Sequence, residues 1–141
     1  MIYKEMHKNI FELDKKQYYF AHCISTDCQM GAGIAVDFNK NFHLKSELLS
    51  RSEIFRTPGK IILYRGIFNL FTKRIYSNKP MYIVLRECLK EMALQCQLWN
   101  IKYLAMPKIG CGLDRLSWGR VREMIKEEFE HLDIEIVVCS I

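Results

Sequence analysis

The sequence predicts an α/β layered sheet with helices on both faces, and three observations carry that reading. Apolar runs of strand length alternate with stretches of helical spacing, glycine-bearing polar loops follow two of those runs, and no linker or repeat divides the chain. With 141 residues the chain is expected to form one domain, residues 1–141. A chain of that length buries roughly two-thirds of the surface its unfolded form exposes. In open sheets of this class ligands sit beyond the carboxyl ends of the strands, where both glycine loops would lie.

Residues 18–24, Tyr-Tyr-Phe-Ala-His-Cys-Ile, read as a buried strand from their aromatic and β-branched content. A polar loop follows, Ser25 to Gly33, and then Ile34, Phe38 and Phe42 recur every fourth residue as on a helix. Residues 60–64 and 67–72 form two strands around Arg65-Gly66, a hairpin. Pro80 suits the first turn of a helix, where its missing N–H does no harm. From there Leu85, Cys88, Leu89, Met92, Cys96 and Trp99 repeat at helical steps as far as Asn100, a stripe that predicts core packing. Residues 103–106 make a short buried strand. Trp118, Val121, Ile125, Phe129 and Leu132 mark a second long helix, with Trp118 also on its core side, and Ile134 to Val138 a final strand.

Composition narrows the function classes. No apolar run reaches the roughly 18 residues of a membrane span, and the start, Met1-Ile2-Tyr3-Lys4-Glu5, is charged too early for a signal peptide. The expected compartment is the cytoplasm, or the nucleus in an organism that has one, with no membrane partner. Of the six cysteines no pair has CxxC spacing, and the histidines do not cluster near them. Cys88 and Cys96 share one helical face and are expected as buried thiols. A structural metal is not expected. The formal charge of +5 suits anionic ligands. The cations are dispersed, with Lys73-Arg74 the local pair of note and no basic tail.

The chemistry concentrates in Pro107-Lys108-Ile109-Gly110-Cys111-Gly112-Leu113-Asp114-Arg115. A strand, a glycine loop and a helix start together cradle phosphate oxygens with backbone N–H groups, and this loop then delivers the carboxylate of Asp114. Cys111 invites a nucleophile reading, but no histidine is near it in sequence, and a small residue that lets the loop pack tightly is favoured. His22, in an apolar strand, reads as a core histidine. Tyr76 lies in the polar loop Ile75-Tyr76-Ser77-Asn78-Lys79 and is a candidate to stack on a base or sugar. Taken alone, Lys73 is a solvated strand-end residue and Asp114 a turn former or helix N-terminal acid.

Two segments carry a family resemblance. Ala21-His22-Cys23-Ile24-Ser25-Thr26-Asp27-Cys28-Gln29-Met30-Gly31-Ala32-Gly33-Ile34-Ala35 closely resembles the first signature of a macrodomain, and Met106 to Asp114 resembles the second. Their order and separation, with Thr72-Lys73-Arg74 between them, resemble the branch of terminal ADP-ribose protein glycohydrolases and DNA ADP-ribosyl antitoxins. The resemblance runs from Tyr3 to Ile141. It implies a three-layer α/β/α macrodomain with a central mixed sheet and ADP-ribose across its crest. Ser25 and the loop Gly31, Gly33, Ile34 and Ala35 would line the ribose and diphosphate. Lys108, Ile109, Gly110, Cys111, Gly112 and Leu113 would wrap the diphosphate and distal ribose. Lys73 matches the catalytic lysine, Asp114 the catalytic aspartate, and Ile10 and Ile141 positions near the adenine. Family members usually carry Gly-Asp before the position of Ile10, where this chain has Lys8-Asn9. Asn9 keeps a carbonyl acceptor for the adenine amine.

The implied activity is removal of ADP-ribose from a macromolecule. An unprotonated lysine attacks the anomeric carbon and expels the modified group, and an aspartate helps water release the adduct. Candidate linkages are thymidine on DNA, a Glu or Asp ester on protein, or O-acyl-ADP-ribose. ADP-ribose and ADP-ribosylated DNA or protein are the implied partners; no cofactor or metal is implied, and a monomer is expected. The alternative is a reader that binds ADP-ribose without turnover, for which the Lys73–Asp114 pair has no use. A purely structural domain would leave the glycine loops as unexplained conformational cost.

Overall fold

Alternating apolar runs become strands where both faces meet helices, and the computed structural model, which describes residues 1–112 and 114–141, shows this layering. The strands are β1 (Ile2–His7), β2 (Tyr19–Ser25), β3 (Ile61–Tyr64), β4 (Ile67–Lys73), β5 (Tyr103–Met106) and β6 (Glu135–Ser140). They form one sheet in the order β1-β6-β5-β2-β4-β3. Only the β3–β4 pair among them is antiparallel, a hairpin turned at Arg65-Gly66. The helices are α1 (Ile34–Phe42), α2 (Lys45–Ser50), α3 (Tyr82–Leu98) and α4 (Trp118–Phe129).

Each face of the sheet has its own core. On one, Ala21, Phe68, Leu70, Leu104 and Ile136 pack against the buried stripes of α3 and α4. On the other, Phe20, Ile24, Ile67, Phe71 and Ala105 pack against Phe38 of α1 and Leu48 of α2. Cys88 and Cys96 are both buried on α3. Side chains alternate along each strand, so β2 and β4 feed both cores at once.

Three expectations need correction. Pro80 lies outside the helix: Met81 is the N-cap of α3, which starts at Tyr82. Trp99 is 69% exposed rather than core. The helix stops one residue before it, Trp99 adopts φ −94°, ψ 5°, and Asn100 turns left-handed at φ 53°. Beyond the last helical residue the 3.6-residue period no longer places a side chain. Ile34, the first residue of the α1 stripe, is 37% exposed because it faces a cleft rather than the core.

Two elements had no clear sequence signal. β1 is an edge strand, largely exposed, with Lys4 bridging Glu135 at 3.1 Å and Glu5 held by Arg122 at 2.7 Å. Charges of this kind protect an edge from further pairing and erase its hydrophobic pattern. α2 is a short helix started from a distance: Asn39 Oδ1 accepts the N–H groups of Leu44 (3.1 Å) and Lys45 (2.9 Å).

His22 is fully buried, as expected of a core histidine, and stacks on Phe38 with ring centroids 4.3 Å apart. Asn69 Nδ2 donates to the carbonyls of Ile62 and Ile67, which leaves its Oδ1 to accept from His22 Nε2 at 2.6 Å. The neutral Nε2–H tautomer follows, with Nδ1 buried and without a hydrogen-bond partner among the described residues. Burial pushes the imidazole down to about 4, against the opposing effect of its hydrogen bond to Asn69 Oδ1. The unfolded chain, titrating near 6.5, binds the proton first. Stability is therefore complete above pH 6.5 and falls as pH drops through the window down to about 4, by about 3 kcal/mol in total. Urea unfolding between pH 7.5 and 5 should show this slope, and His22→Phe should flatten it; an unchanged slope in the variant would contradict the assignment.

Candidate active site

β2 and β5 are parallel neighbours, so their carboxyl ends deliver both glycine loops to one edge of the sheet. Between the loops lies a cleft of about 800 Å³. Ser25, Gly31, Gly33, Ile34 and Ala35 line one wall, Lys108, Ile109, Gly110, Cys111 and Gly112 the other, and Lys73 and Asp114 the space between. Leu113, placed by the resemblance in the second loop, lies outside the described residues.

The first loop holds an uncommon backbone path. Cys28 and Met30 both have positive φ, 53° and 49°, and both are buried, so packing secures a conformation that L residues adopt at a cost. Gly33 caps α1 at φ 63°, ψ −156°, a region open in practice to glycine alone. In the second loop Gly110 has φ 72°, and its carbonyl accepts from Leu116 N–H at 2.7 Å. A Cβ built there meets Leu116 Cδ1 at 2.8 Å, whereas one on Gly112 meets nothing within 4 Å. Gly110→Ala should therefore cost about 1–2 kcal/mol through its left-handed backbone, with Gly112→Ala milder. Equal losses in paired thermal melts would contradict this reading of the loop.

Lys73 and Asp114 are 41 residues apart in sequence and meet as an ion pair, Nζ to Oδ1 at 2.6 Å, with side chains 13% and 16% exposed. β4 is an interior strand, so Lys73 is not the solvated edge residue that its position alone suggests. Its placement depends on a slip in register. Ile24 pairs with Phe71 but Ser25 pairs with Lys73, so Thr72 is an extra residue between them. Without that slip Thr72 would sit beside Ser25 and Lys73 would turn to the other face. The Thr72 hydroxyl is buried and has no hydrogen-bond partner among the described residues.

Asp27 and Thr26, which sequence reasoning assigned no role, tie the first loop to the end of β4. Thr26 N–H donates to Lys73 O at 2.9 Å and Thr26 Oγ1 to Arg74 O at 2.7 Å. Asp27 accepts from the Ser25 hydroxyl, from Gln29 N–H at 3.3 Å and from Tyr76 N–H at 3.1 Å. Arg56 reaches Thr26 O at 2.6 Å from 30 residues away. Ser, Thr and Asp in succession after a strand are a signal for side-chain-to-backbone bonding, but nothing local points to Arg56.

The positions matched to adenine lie apart from this cleft. Asn9 and Ile141 line a second, shallower cavity of about 700 Å³. Ile10 is 3% exposed and belongs to the core, so its side chain offers little surface to a ligand. Asn9 caps the following turn, its Oδ1 accepting from Phe11 N–H at 3.0 Å. The acceptor suggested for an adenine amine thus already serves the backbone.

The cleft also bears on the thiol reading. Burial lifts the Cys111 thiol to about 11, against the opposing charge of Lys108, and no histidine lines the cleft among the described residues. A half-buried thiol that stays neutral is a poor nucleophile. Cys111 Sγ instead donates to Ile109 O at 3.3 Å within its own loop.

This architecture is that of a macrodomain: the macrodomain of Thermus aquaticus DarG superposes with a TM-score of 0.86 at 23% identity, covering 99% of both chains. No family model matches the sequence. ADP-ribose glycohydrolase OARD1 of Homo sapiens is 44% identical over 127 residues, 86% of this chain and 80% of that protein. A DNA ADP-ribosyl glycohydrolase of Thermus aquaticus is 26% identical over 122 residues, 78% of this chain and 33% of that protein. The chain belongs to the macrodomain family of ADP-ribose glycohydrolases that includes OARD1.

Proposed function

We propose that this protein is a hydrolase that releases ADP-ribose from a macromolecule, with Lys73 as nucleophile and Asp114 as general acid and base. The observation that carries the reading is the 2.6 Å Lys73–Asp114 pair, held between two glycine loops in a relative of named ADP-ribose glycohydrolases. The loops offer backbone N–H groups to a diphosphate, which anchors the terminal ribose over the pair.

The chemistry follows from the placement. Attack requires the neutral amine, and Asp114 is the group positioned to accept the proton from Nζ as the substrate enters. The lysine nitrogen then bonds to the anomeric carbon, and the bond from that carbon to the acceptor breaks. The leaving carboxylate, base or acyl oxygen keeps the electron pair and takes from Asp114 the proton that Nζ gave up, which returns Asp114 to the carboxylate. Asp114 next takes a proton from water, which adds to the same carbon and expels the lysine. Splitting one displacement into two easier steps is the advantage of a covalent nucleophile. Ser25 and its partner Asp27 border the reacting end, while the cavity bearing Asn9 and Ile141 is the place left for the adenine.

Thymidine-linked DNA, a Glu or Asp ester on protein, and ADP-ribose acylated on its anomeric oxygen all present an anomeric carbon with a displaceable group. The test is release of free ADP-ribose from a thymidine-ADP-ribosylated single strand and from Glu-ADP-ribosylated protein. Turnover by the wild type that Lys73→Ala removes is the expected result. Tight ADP-ribose binding with no release from either substrate would make the protein a reader.

A further inference from the structure

Tyr76 has no part in that mechanism, yet it lines the same cleft and is 65% exposed. Its backbone is fixed. Tyr76 N–H donates to Asp27 Oδ2 at 3.1 Å, and Asn78 N–H donates to Ile75 O at 3.0 Å, which closes a turn with Tyr76 on it. The same Asp27 carboxylate accepts from the Ser25 hydroxyl, so one residue sets the spacing between the ribose wall and the tyrosine turn. A large aromatic side chain held at its backbone and mostly exposed is a preorganised contact surface.

The turn stands three residues beyond Lys73, the atom donor to the anomeric carbon. The diphosphate side of the cleft belongs to the two glycine loops, so a group leaving from that carbon departs past the 74–79 segment. The surroundings of the ring select its chemistry. From Lys73 to Arg86 the chain carries Lys73, Arg74, Lys79 and Arg86 and no Asp or Glu. Arg86 is engaged with Glu127 and Glu128 and Lys73 with Asp114, whereas the side chain of Arg74, two residues before the ring, is exposed. Ile75, 47% exposed, extends the apolar surface beside the ring. An aromatic side chain beside an exposed cation is how proteins hold single-stranded nucleic acid, by stacking on a base and neutralising the phosphodiester beside it. A glutamyl or aspartyl acceptor on protein offers no planar ring to such a surface.

We infer that Tyr76, set in place by Asp27, is the acceptor-side platform on which the modified nucleobase of a single strand stacks as Lys73 attacks. This rests on the hydrolase reading above and names the group that chooses among its substrates. The experiment compares kcat/KM on the thymidine-linked oligonucleotide and on the Glu-linked protein for wild type, Tyr76→Ala and Tyr76→Phe. Tyr76→Ala is expected to lower the DNA-to-protein ratio about tenfold, and Tyr76→Phe, which keeps the ring, to restore most of it. An equal loss on both substrates, or a parallel loss of affinity for free ADP-ribose, overturns the platform. So does a wild type that turns over the protein substrate alone, a result that leaves the hydrolase standing. Turnover of neither substrate defeats the hydrolase instead. The platform is then decided by anisotropy: affinity for the modified oligonucleotide that Tyr76→Ala leaves unchanged overturns it.

Discussion

Lys73→Ala is expected to lower the release of ADP-ribose by about 10³-fold or more, since removing a covalent nucleophile leaves only binding and background electrostatics. Lys73→Arg sharpens the test. A guanidinium preserves the charge beside Asp114 but stays protonated and does not attack carbon. Arg should therefore be nearly as inactive as Ala if the lysine acts as a nucleophile, and largely active if it supplies only a positive charge. Asp114→Ala should cost about 10²–10⁴-fold, the usual range for a general acid or base. Because the two side chains touch at 2.6 Å and act in one sequence of steps, their effects should not add. The double variant should be no slower than Lys73→Ala alone. Steady-state rates on one substrate, with thermal melts to confirm folding, check all four variants.

Phe38→Ala is expected to give the largest loss of stability, about 3–5 kcal/mol, the range for truncating a buried phenylalanine. Phe38 is fully buried beneath α1, with Phe11 4.9 Å, Phe42 5.9 Å and His22 4.3 Å away between ring centroids. Its removal opens a cavity against the imidazole and frees the helix whose first residues, Ile34 and Ala35, line the cleft. Affinity for ADP-ribose should fall along with stability, and the melting temperature should drop by roughly 10 °C or more. Phe38→Leu, which refills most of the volume, should recover much of both. Full stability in the alanine variant would mean that α1 is held by something other than this cluster.

Phe38 also shows why much of the fold was legible. Its helix, the β3–β4 hairpin, β2, β5 and the long stripes of α3 and α4 all repeat apolar residues at one period between clear breaks. β1 and α2 do not. The first is an edge whose charges serve to prevent pairing, and the second is a short helix begun by the side chain of Asn39. Trp99 misled because periodicity continues on paper past the residue where the backbone leaves the helix.

The site divides along the same line. The two glycine loops announce themselves in composition, and Lys73 and Asp114 were matched through the family resemblance. That they meet depends on strand order and on the extra residue Thr72, both long-range properties that no local window contains. The burial of Ile10 and the capping role of Asn9 came from tertiary packing and turn geometry, which the resemblance did not carry.

The covalent step is the centre of this account, and it can be trapped. Wild type and Asp114→Ala would be mixed with thymidine- or Glu-linked ADP-ribosylated substrate, treated with cyanoborohydride to reduce the ring-opened imine form of the adduct, digested and read by mass spectrometry. The account predicts an ADP-ribose adduct on the peptide containing Lys73 in the wild type, and in Asp114→Ala a slower formation and a slower hydrolysis of it, because the same carboxylate serves Nζ and water. Rapid release of ADP-ribose with no adduct on Lys73 in either protein would contradict it and assign the chemistry to direct attack by water.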